Sequence, residues 1–423
     1  MEKFYKKALE FDKKDELSGF RYNFDDDEEL IYLDGNSLGK LPVRTIDVAA
    51  DVLKNQWGKR LIRSWNENWM DLSGSIAAKI AKVVGAREDE TFVGDSTSLN
   101  LFKLAYAALK AKSGKTKIIS DDINFPTDLY VLQSLVNQHF PGHTISLATS
   151  EDGITVEDHN IQDLLDNNTA LLTLSYVAFK SSFMYDMERI NDMARKRGSY
   201  VIWDLSHAAG AVPVKLNETG ADMAVGCTYK YLNGGPGAPA FLYVRKDLQE
   251  KLVNPIWSWF AHEKPFDFDL KFQANPGIQK FAVGTPPVLS IAAIEPGLDI
   301  ILEAGIDRLR AKSLEQSRFL IEMVKEVLLP LGFRFASPLD EEKRGSHVSI
   351  QHPDSFRINR AMIEPIGDAV PIIPDFRPPD NIRIGIAPLY NSFMELYYTV
   401  ERISAIVETK EFEKFGEERL EVT

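Results

Sequence analysis

The middle of the chain alternates short apolar runs with amphipathic helical segments, and this alternation most constrains the fold. Runs of strand length occur at 116–120, 169–177, 200–205, 221–227 and 240–244. Such alternation predicts an α/β domain whose mostly parallel sheet is sandwiched by helices. Sites in these sheets lie at the carboxyl ends of the strands. The candidate site residues are therefore those that follow the predicted strands: Thr97, Asp128, Ser175, Asp204, His207 and Lys230.

Length and composition restrict the protein class. With 423 residues, 44% of them hydrophobic and 26% charged, the chain is predicted to be globular with two domains. A formal net charge of -13 argues against a nucleic-acid or anionic-membrane partner. We find neither a secretory signal nor an apolar run of about 20 residues. The single cysteine, Cys227, excludes an internal disulfide framework and fits a reducing compartment, so we expect a cytoplasmic protein.

Lys230 lies where a predicted strand meets a glycine-rich turn. The stretch 221–237 reads ADMAVGCTYKYLNGGPG, with Tyr229 and Tyr231 on either side of the lysine. A lysine among aromatic and small residues is partly desolvated, which lowers its pKa and suits it to Schiff-base chemistry. The alternative is a lysine whose stem covers apolar surface while its ammonium reaches water.

Two further features are each ambiguous when taken alone. Thr97 and Ser98 belong to a hydroxyl-rich run before a predicted helix, which is either an anion site or a plain capped helix. Asp204 ends a hydrophobic strand and needs a partner, which is a helix cap, an arginine or a protonated pyridine nitrogen. Pyridoxal phosphate (PLP) would account for the anion site, the acid and Lys230 together.

Motifs for other chemistries are missing. The sequence contains no phosphate-binding loop of the form GxxxxGK[ST], no dinucleotide fingerprint, no HExxH and no GxSxG elbow. Seven scattered histidines and one cysteine predict no metal site. Ser206 and His207 follow Asp204 too closely to form a catalytic triad with it.

Eight segments resemble kynureninase in order over nearly the whole chain: DGNSLG (34–39), GDSTS (94–98), NFPTD (124–128), WDLSHAAGAVP (203–213), CTYKYLNGGPG (227–237), FAVGTPP (281–287), KRGSHVS (343–349) and RIGIAPLY (383–390). The resemblance implies a homodimeric, fold-type I PLP enzyme of tryptophan and kynurenine metabolism. Such enzymes hydrolyse L-kynurenine, or 3-hydroxy-L-kynurenine, to anthranilate, or 3-hydroxyanthranilate, and L-alanine. We expect a large PLP-binding domain at 50–290 and a small α+β domain formed by 1–49 with 291–423.

The resemblance also implies roles for individual residues. Lys230 would be the Schiff-base lysine that moves the α-proton, and Tyr229, acidified by the phosphate site and the lysine, a proton relay. Arg383 would grip the substrate α-carboxylate as a bidentate fork, with Asn36 and Trp65 as further substrate residues. The remaining residues would bind the cofactor: Thr97 and Ser98 at the phosphate, Phe125 stacked on the ring, Asp204 at the ring nitrogen, Asp128, Ser175 and His207 close by, and Trp259 and Thr285 from the partner subunit.

Three positions depart from the family pattern. Ser182, Ser258 and Ala261 stand where relatives usually carry glycine, and residues without glycine's backbone freedom are expected to reshape these loops. Two other interpretations compete with the resemblance to kynureninase. One is a different PLP-dependent lyase or an aminotransferase, and the other is a protein of this fold that only binds a ligand.

Overall fold

The computed structural model describes residues 1–25, 29–416 and 418. The strands of the described residues are β1 (Ile31–Tyr32), β2 (Thr91–Val93), β3 (Lys117–Asp121), β4 (Thr144–Ala148), β5 (Thr169–Ser175), β6 (Tyr200–Asp204), β7 (Met223–Gly226), β8 (Phe241–Val244), β9 (Arg334–Phe335), β10 (Val348–Gln351), β11 (Ile372–Ile373), β12 (Asp375–Arg377) and β13 (Asn381–Ile384).

The α-helices are α1 (Glu2–Lys14), α2 (Arg44–Asp51), α3 (Met70–Val83), α4 (Thr97–Ala111), α5 (Pro126–Gln138), α6 (Asp158–Leu164), α7 (Met187–Lys196), α8 (Lys246–Gln249), α9 (Val288–Ala292), α10 (Glu295–Ala304), α11 (Ile306–Met323), α12 (Ser355–Ile363) and α13 (Phe393–Glu408). Local chemistry sets several helix starts. Asp186 accepts a bond from the backbone N–H of Arg189 before α7, and Ser392 and Glu395 form a capping box at α13.

A seven-stranded sheet with the order β2-β8-β7-β6-β5-β3-β4 forms the centre of the protein. The strands β7, β6, β5, β3 and β4 pair in parallel, and β8 pairs antiparallel with both β7 and β2. Because β8 runs antiparallel to both of its neighbours, β2 runs in the same direction as β6. The carboxyl ends of β2 and β6 therefore lie at the same edge of the sheet. The predicted mostly parallel α/β sheet is confirmed.

Alternation along the strands divides the core between the two faces of this sheet. In β6, Val201 and Trp203 pack into one hydrophobic cluster while Ile202 packs into the other. This period of two is what a strand covered by helices on both faces requires. A third cluster joins Phe4 and Leu33 to Ile350, beside an antiparallel sheet with the order β12-β13-β10-β9.

Some predicted elements differ from the observed ones. Helical spacing over 288–302 predicts one long helix with a break at Pro296, but the helix breaks earlier, between Ala292 and Glu295. Proline lacks an N–H and fits the first turn of a helix, so Pro296 starts α10 instead of interrupting it. Strand β4 was missed because four of its five residues are exposed or half-exposed, as at a sheet edge. Among the described residues, no helix combines the length and apolar character needed to cross a membrane.

Candidate active site

The ends of neighbouring strands bring the predicted site residues to one edge of the sheet. Ser175 and Asp204 are paired in register as the last residues of β5 and β6. The hydroxyl of Ser175 donates to Asn124 Oδ1 over 2.7 Å, which ties β5 to the segment after β3. Phe125 follows directly and precedes α5. The carboxyl ends of the sheet therefore collect polar groups, as parallel sheets do.

Lys230 lies inside this cluster and contacts a histidine. Its Nζ is 2.8 Å from Nε2 of His207 and 5.9 Å from the ring centroids of both Phe125 and Tyr229. The side chain is half-buried, and burial lowers the pKa of its amine. Since desolvation favours the neutral amine, Lys230 is suited to act as a nucleophile and base. The interpretation as a lysine that only reaches for water is not supported.

His207 is held in its neutral form. Burial, followed by the positive charge of Lys230, lowers the pKa of its imidazole well below the ordinary value. One ring nitrogen meets Lys230, while Nδ1 has no hydrogen-bond partner among the described residues. A neutral imidazole both accepts and donates, so His207 can accept a hydrogen bond from the lysine and still offer a donor to a bound molecule.

Two buried carboxyl groups lie next to the lysine. Asp204 Oδ1 accepts bonds from the N–H of Ser206 over 2.8 Å and from its hydroxyl over 2.6 Å, and no arginine pairs with it among the described residues. Asp128 is also buried, and its Oδ2 has no partner in the described part of the chain. Burial raises the pKa of both groups, and the charge of Asp204 raises that of Asp128 further. Burial thus favours the protonated form of both carboxyl groups.

The hydroxyl-rich run forms the start of α4. Ser96 caps the helix by accepting a bond from the N–H of Leu99 over 3.3 Å, and α4 begins at Thr97. The first N–H groups of a helix have no carbonyl partner within it, so Thr97 and Ser98 present donors at the positive end of the dipole. Both residues are half-buried. The helix is thus capped by Ser96, and the N–H groups of Thr97 and Ser98 stay available to an anion.

A cavity of about 1010 Å³ adjoins this helix start. Ser96 lines one wall and Thr285 lines another, together with Phe260 and His262. Trp259, which precedes Phe260, is 40% exposed and contacts the rings of Phe260, Phe266 and Phe268 within an aromatic loop at 257–272. The structure thus places Thr285 close to the helix start of its own chain, and Trp259 in the adjacent loop.

Trp65 lies away from the lysine and beside that aromatic loop. Its ring is 5.4 Å from Trp69 and 5.9 Å from Phe260, and the side chain is half-buried. These contacts link Trp65 to the cavity wall through Phe260. No contact between Trp65 and Lys230 is seen in the described residues.

Arg383 is already engaged by other residues of the chain, and its bidentate grip on a substrate carboxylate stays a prediction. The guanidinium is buried; Nε and Nη2 contact Asp375, Nη2 also donates to Ser37, and Nη1 donates to the carbonyl of Phe179. Described residues engage four of the five donors of the side chain. One Nη1 hydrogen has no partner among them.

Asn36 is packed against the Arg383 strand. Its side chain is fully buried, and neither of its polar side-chain atoms has a partner in the described residues. Strand β13 leads into Gly385, and a Cβ at that position would lie 1.8 Å from Asn36 Oδ1. Glycine is therefore required for this close approach. The orphaned amide is consistent with a role in binding a polar group.

Tyr229 does not have the predicted acidified hydroxyl. Burial, followed by the neighbouring Cys227 thiol, raises the pKa of Tyr229 above its ordinary value. The phenol therefore keeps its proton and is a hydrogen-bond donor. The expected depressed pKa is not found, because burial, the Cys227 thiol and the charge of Asp204 all raise the pKa of Tyr229.

The departures from the glycine pattern have different outcomes. Ser182 has φ +67°, so this position keeps a left-handed backbone without glycine. Ser258 is extended with φ -142°, and Ala261 ends a 3₁₀ turn that starts at Trp259. Neither backbone needs glycine. The hydroxyl of Ser258 also donates to the carbonyl of Ala282 over 2.8 Å, which ties the aromatic loop to the cavity wall.

Several residues near the site were missed. His347 is buried with its ring 5.8 Å from that of His207, and Arg377 lies 3.2 Å from Asp375 Oδ2. His347 belongs to a segment already recognised as KRGSHVS, so its motif was a usable signal. Asp375 and Arg377 flank a single phenylalanine on β12, and only the strand pairing with β13 brings them to Arg383.

The donor set fits PLP. Free helix N–H groups at Thr97 and Ser98 match a phosphate, the buried Asp204 matches a protonated ring nitrogen, and Lys230 matches an aldehyde. Asp128 Oδ2 and His207 Nδ1, which have no partner among the described residues, could hydrogen-bond a polar substituent of the ring. Phe125 presents an apolar face beside the lysine. These features lie at one sheet edge, as one bound molecule requires.

Comparisons with known proteins agree with this site. A family model, the kynureninase C-terminal domain, matches residues 309–403. The chain is 38% identical over 408 residues to kynureninase of Pseudomonas fluorescens, which covers 95% of each chain. It is 36% identical to kynureninase of Burkholderia mallei (strain SAVP1), with the same coverage.

Solved structures show the same fold at low identity. The cysteine desulfurase from Thermococcus onnurineus NA1 has a TM-score of 0.79 at 17% identity and covers 92% of this chain and 98% of its own. A C-DES variant with glycine covalently linked to its PLP cofactor has a TM-score of 0.78 at 15% identity, covering 91% and 98%. The fold is that of PLP enzymes of this type, and by its near full-length identity to curated relatives the chain belongs to the kynureninase family.

Proposed function

We propose that this chain hydrolyses the Cβ–Cγ bond of L-kynurenine to give anthranilate and L-alanine. As a family member it is a PLP-dependent hydrolase of carbon–carbon bonds that acts on a small amino acid. The observation that carries the proposal is the half-buried Lys230, in contact with His207 and close to the buried Asp204. The second substrate to test is 3-hydroxy-L-kynurenine.

Binding of the cofactor is assigned to residues of the sheet edge. When bound, PLP supplies an electron sink for negative charge that develops at the substrate α-carbon. Thr97 and Ser98 would hold the phosphate, and Asp204 would keep the ring nitrogen protonated. Six other residues belong to the proposed site: Phe125 at the ring face, Asp128, Ser175 and His207 at its edge, Thr285 at the cavity wall, and Trp259 in the adjacent loop.

Lys230 would hold and move the α-proton of the substrate. Its lowered pKa raises the neutral fraction of the amine, and a neutral amine accepts a proton. His207 would orient this amine through the 2.8 Å contact with Nζ. Tyr229, whose raised pKa keeps it protonated, would donate a hydrogen bond or proton to the leaving side of the substrate.

Arg383 would meet the α-carboxylate with its one remaining Nη1 hydrogen. Its other donors are held by Asp375, Ser37 and the Phe179 carbonyl, which keep the guanidinium in place. Because the guanidinium is held in place before binding, the arginine side chain loses little rotamer entropy when it contacts the substrate. Asn36, with its orphaned amide, and Trp65, beside the aromatic loop, stay the other predicted substrate residues.

Desulfurase activity is poorly supported, although desulfurases share the fold. That chemistry needs a mobile nucleophilic cysteine, whereas Cys227 is buried directly after β7. Burial raises the pKa of its thiol, and Sγ lies 3.8 Å from the Ser206 carbonyl oxygen. A buried, protonated thiol is a weak nucleophile.

A homodimer that shares its active sites is also proposed. Exposed apolar side chains concentrate on two segments that a second copy would cover: Leu53, Trp57, Leu61 and Ile62, then Trp257, Trp259, Phe266, Phe268 and Leu270. Patches of this kind mark interfaces. Mixing Lys230→Ala with Thr285→Asp chains tests the sharing, since each hybrid dimer would regain one intact site only if Thr285 acts across the interface.

The domain division and the location stay predictions. The cluster that joins Phe4 and Leu33 to Ile350 supports a small domain built from both chain ends. Residues 417 and 419–423 of the predicted small domain lie outside the described part of the chain. Limited proteolysis followed by mass spectrometry of the fragments would test the boundaries. The cytoplasmic location rests on the sequence arguments alone.

Anthranilate fluorescence tests the proposed activity. Purified protein with PLP and kynurenine should release anthranilate, and Lys230→Ala should lose both turnover and the visible absorbance of lysine-bound cofactor. Cys227→Ala is the matched control, since a desulfurase would lose activity and this protein should keep it. Wild-type turnover by the Lys230 variant would refute the assignment. The ratio of kcat/KM for kynurenine and 3-hydroxykynurenine then identifies the preferred substrate.

A further inference from the structure

Lys103 is a fully buried lysine outside the residues assigned above. It lies on α4, and its side chain points back toward the helix start, as helical side chains do. Its Nζ donates to Asp95 Oδ2 over 2.7 Å and to the carbonyl of Phe281 over 2.7 Å, and it lies 5.5 Å from the ring of Phe92. A buried ammonium is costly unless such partners compensate it.

The first partner belongs to the loop that precedes the proposed phosphate site. Asp95 has φ +59°, an uncommon conformation for a residue with a side chain. Its carbonyl accepts a bond from the N–H of Ala240 over 2.8 Å, and Asn100 Nδ2 donates to the Gly94 carbonyl over 3.0 Å. These contacts, with the Lys103 bond, fix the backbone immediately before Thr97.

The second partner belongs to another segment that lines the same cavity. Phe281 precedes Ala282, and Ala282 and Thr285 line the cavity together with Asp95 and Ser96. Ser258 also holds this segment, through its 2.8 Å bond to the Ala282 carbonyl. Lys103 therefore connects the two cavity-lining segments through its Nζ.

We propose that Lys103 is a positioning residue for the cofactor phosphate, because it holds the 94–97 loop and the 281–285 segment at a fixed spacing. This inference rests on the proposed PLP site. Lys103 does not touch the phosphate; it acts through the backbone of Asp95 and Phe281. Loss of the two Lys103 contacts should therefore weaken binding of the phosphate group, while Lys230 can still react with the cofactor aldehyde.

Comparing PLP with pyridoxal, which lacks the phosphate, tests this role. The cofactor-free protein is titrated with each compound, and the visible absorbance of the Lys230-bound form is followed. Lys103→Met should weaken PLP binding by about tenfold and leave pyridoxal binding near the wild-type value. Asp95→Asn removes the ion pair but keeps the Phe281 contact, and it should weaken PLP binding selectively as well.

Lys312 offers a matched control. It is also buried, and its Nζ contacts Asp15 Oδ2 at 2.7 Å and the Pro388 carbonyl at 2.6 Å. Lys312→Met should leave the PLP-to-pyridoxal affinity ratio unchanged. The proposal would be overturned if the Lys103 and Asp95 variants weakened the binding of PLP and of pyridoxal equally. If Lys103→Met does not fold, unchanged PLP binding by Asp95→Asn would overturn it. Since kynurenine is absent, failure of the proposed activity would leave this result standing.

Discussion

Replacing Ser182 by glycine is expected to stabilise the protein by about 1 kcal/mol. Ser182 is fully buried in the left-handed region with φ +67°. Two backbone bonds hold it there: its N–H donates to the Ala178 carbonyl over 2.9 Å, and its carbonyl accepts from Gly345 over 2.8 Å. Its hydroxyl has no hydrogen-bond partner among the described residues.

The expected magnitude comes from three contributions. A residue with a side chain in the left-handed region costs about 1 kcal/mol relative to glycine. A buried hydroxyl without a partner costs roughly 1 kcal/mol more. The greater freedom of glycine in the unfolded chain removes about 0.5–1 kcal/mol of this gain. A net gain of about 1 kcal/mol in the free energy of unfolding remains.

The adjacent serine provides the control. Ser181 is equally buried, but its hydroxyl donates to the Ile154 carbonyl over 2.7 Å and accepts from the N–H of Phe183 over 3.2 Å. Ser181→Gly should therefore destabilise by about 1–2 kcal/mol. Urea unfolding followed by circular dichroism measures both midpoints at unchanged slope. A Ser182→Gly midpoint at or below that of wild type would refute the strain argument.

Two further changes test other parts of the structure. Gly385→Ala would place a Cβ 1.8 Å from Asn36 Oδ1 and 2.7 Å from the Leu33 carbonyl oxygen. We therefore expect urea unfolding to show a free energy of unfolding lower by roughly 2–3 kcal/mol. A wild-type midpoint would contradict this close packing. Burial raises the pKa of Asp121 to about 7, so between about pH 4 and 7 only the folded state keeps this proton, and stability falls as pH rises. Asp121→Asn should reduce the fall in urea midpoint from pH 5 to pH 8, and an unchanged fall would exclude Asp121 as its source.

The sheet and the order of the site motifs could be predicted because local patterns determine them. A run such as β6, buried on both faces, is apolar throughout, and the residue at its carboxyl end is Asp204. Turn residues after β7 mark the position of Lys230 in the same way. The site edge followed from the strand ends, since parallel strands finish together.

Contacts between distant segments could not be predicted. Lys103 and Phe281 are 178 residues apart, and Arg383 and Ser37 are 346 apart. No local pattern encodes such pairs, because they depend on how the sheets and helices pack. The raised pKa of Tyr229 belongs to the same class of effect, since its burial comes from tertiary packing.

Charge balance around Arg383 gives its pairing a functional consequence. A buried arginine without a counter-charge is strongly unfavourable, and Asp375 neutralises it. Arg377, at 3.2 Å from the same carboxylate oxygen, gives these three groups a net charge of +1. Burial raises the pKa of the neighbouring Asp34 to about 7, so this fourth group is in part protonated and cancels that charge only in part. In the proposed complex the α-carboxylate of the substrate compensates the positive charge that remains. Attraction thus comes from the cluster as a whole, while the single remaining Nη1 hydrogen of Arg383 supplies direction. A neutral amide in place of the carboxylate would gain the hydrogen bond but not the charge compensation, so the cluster selects for an anionic group.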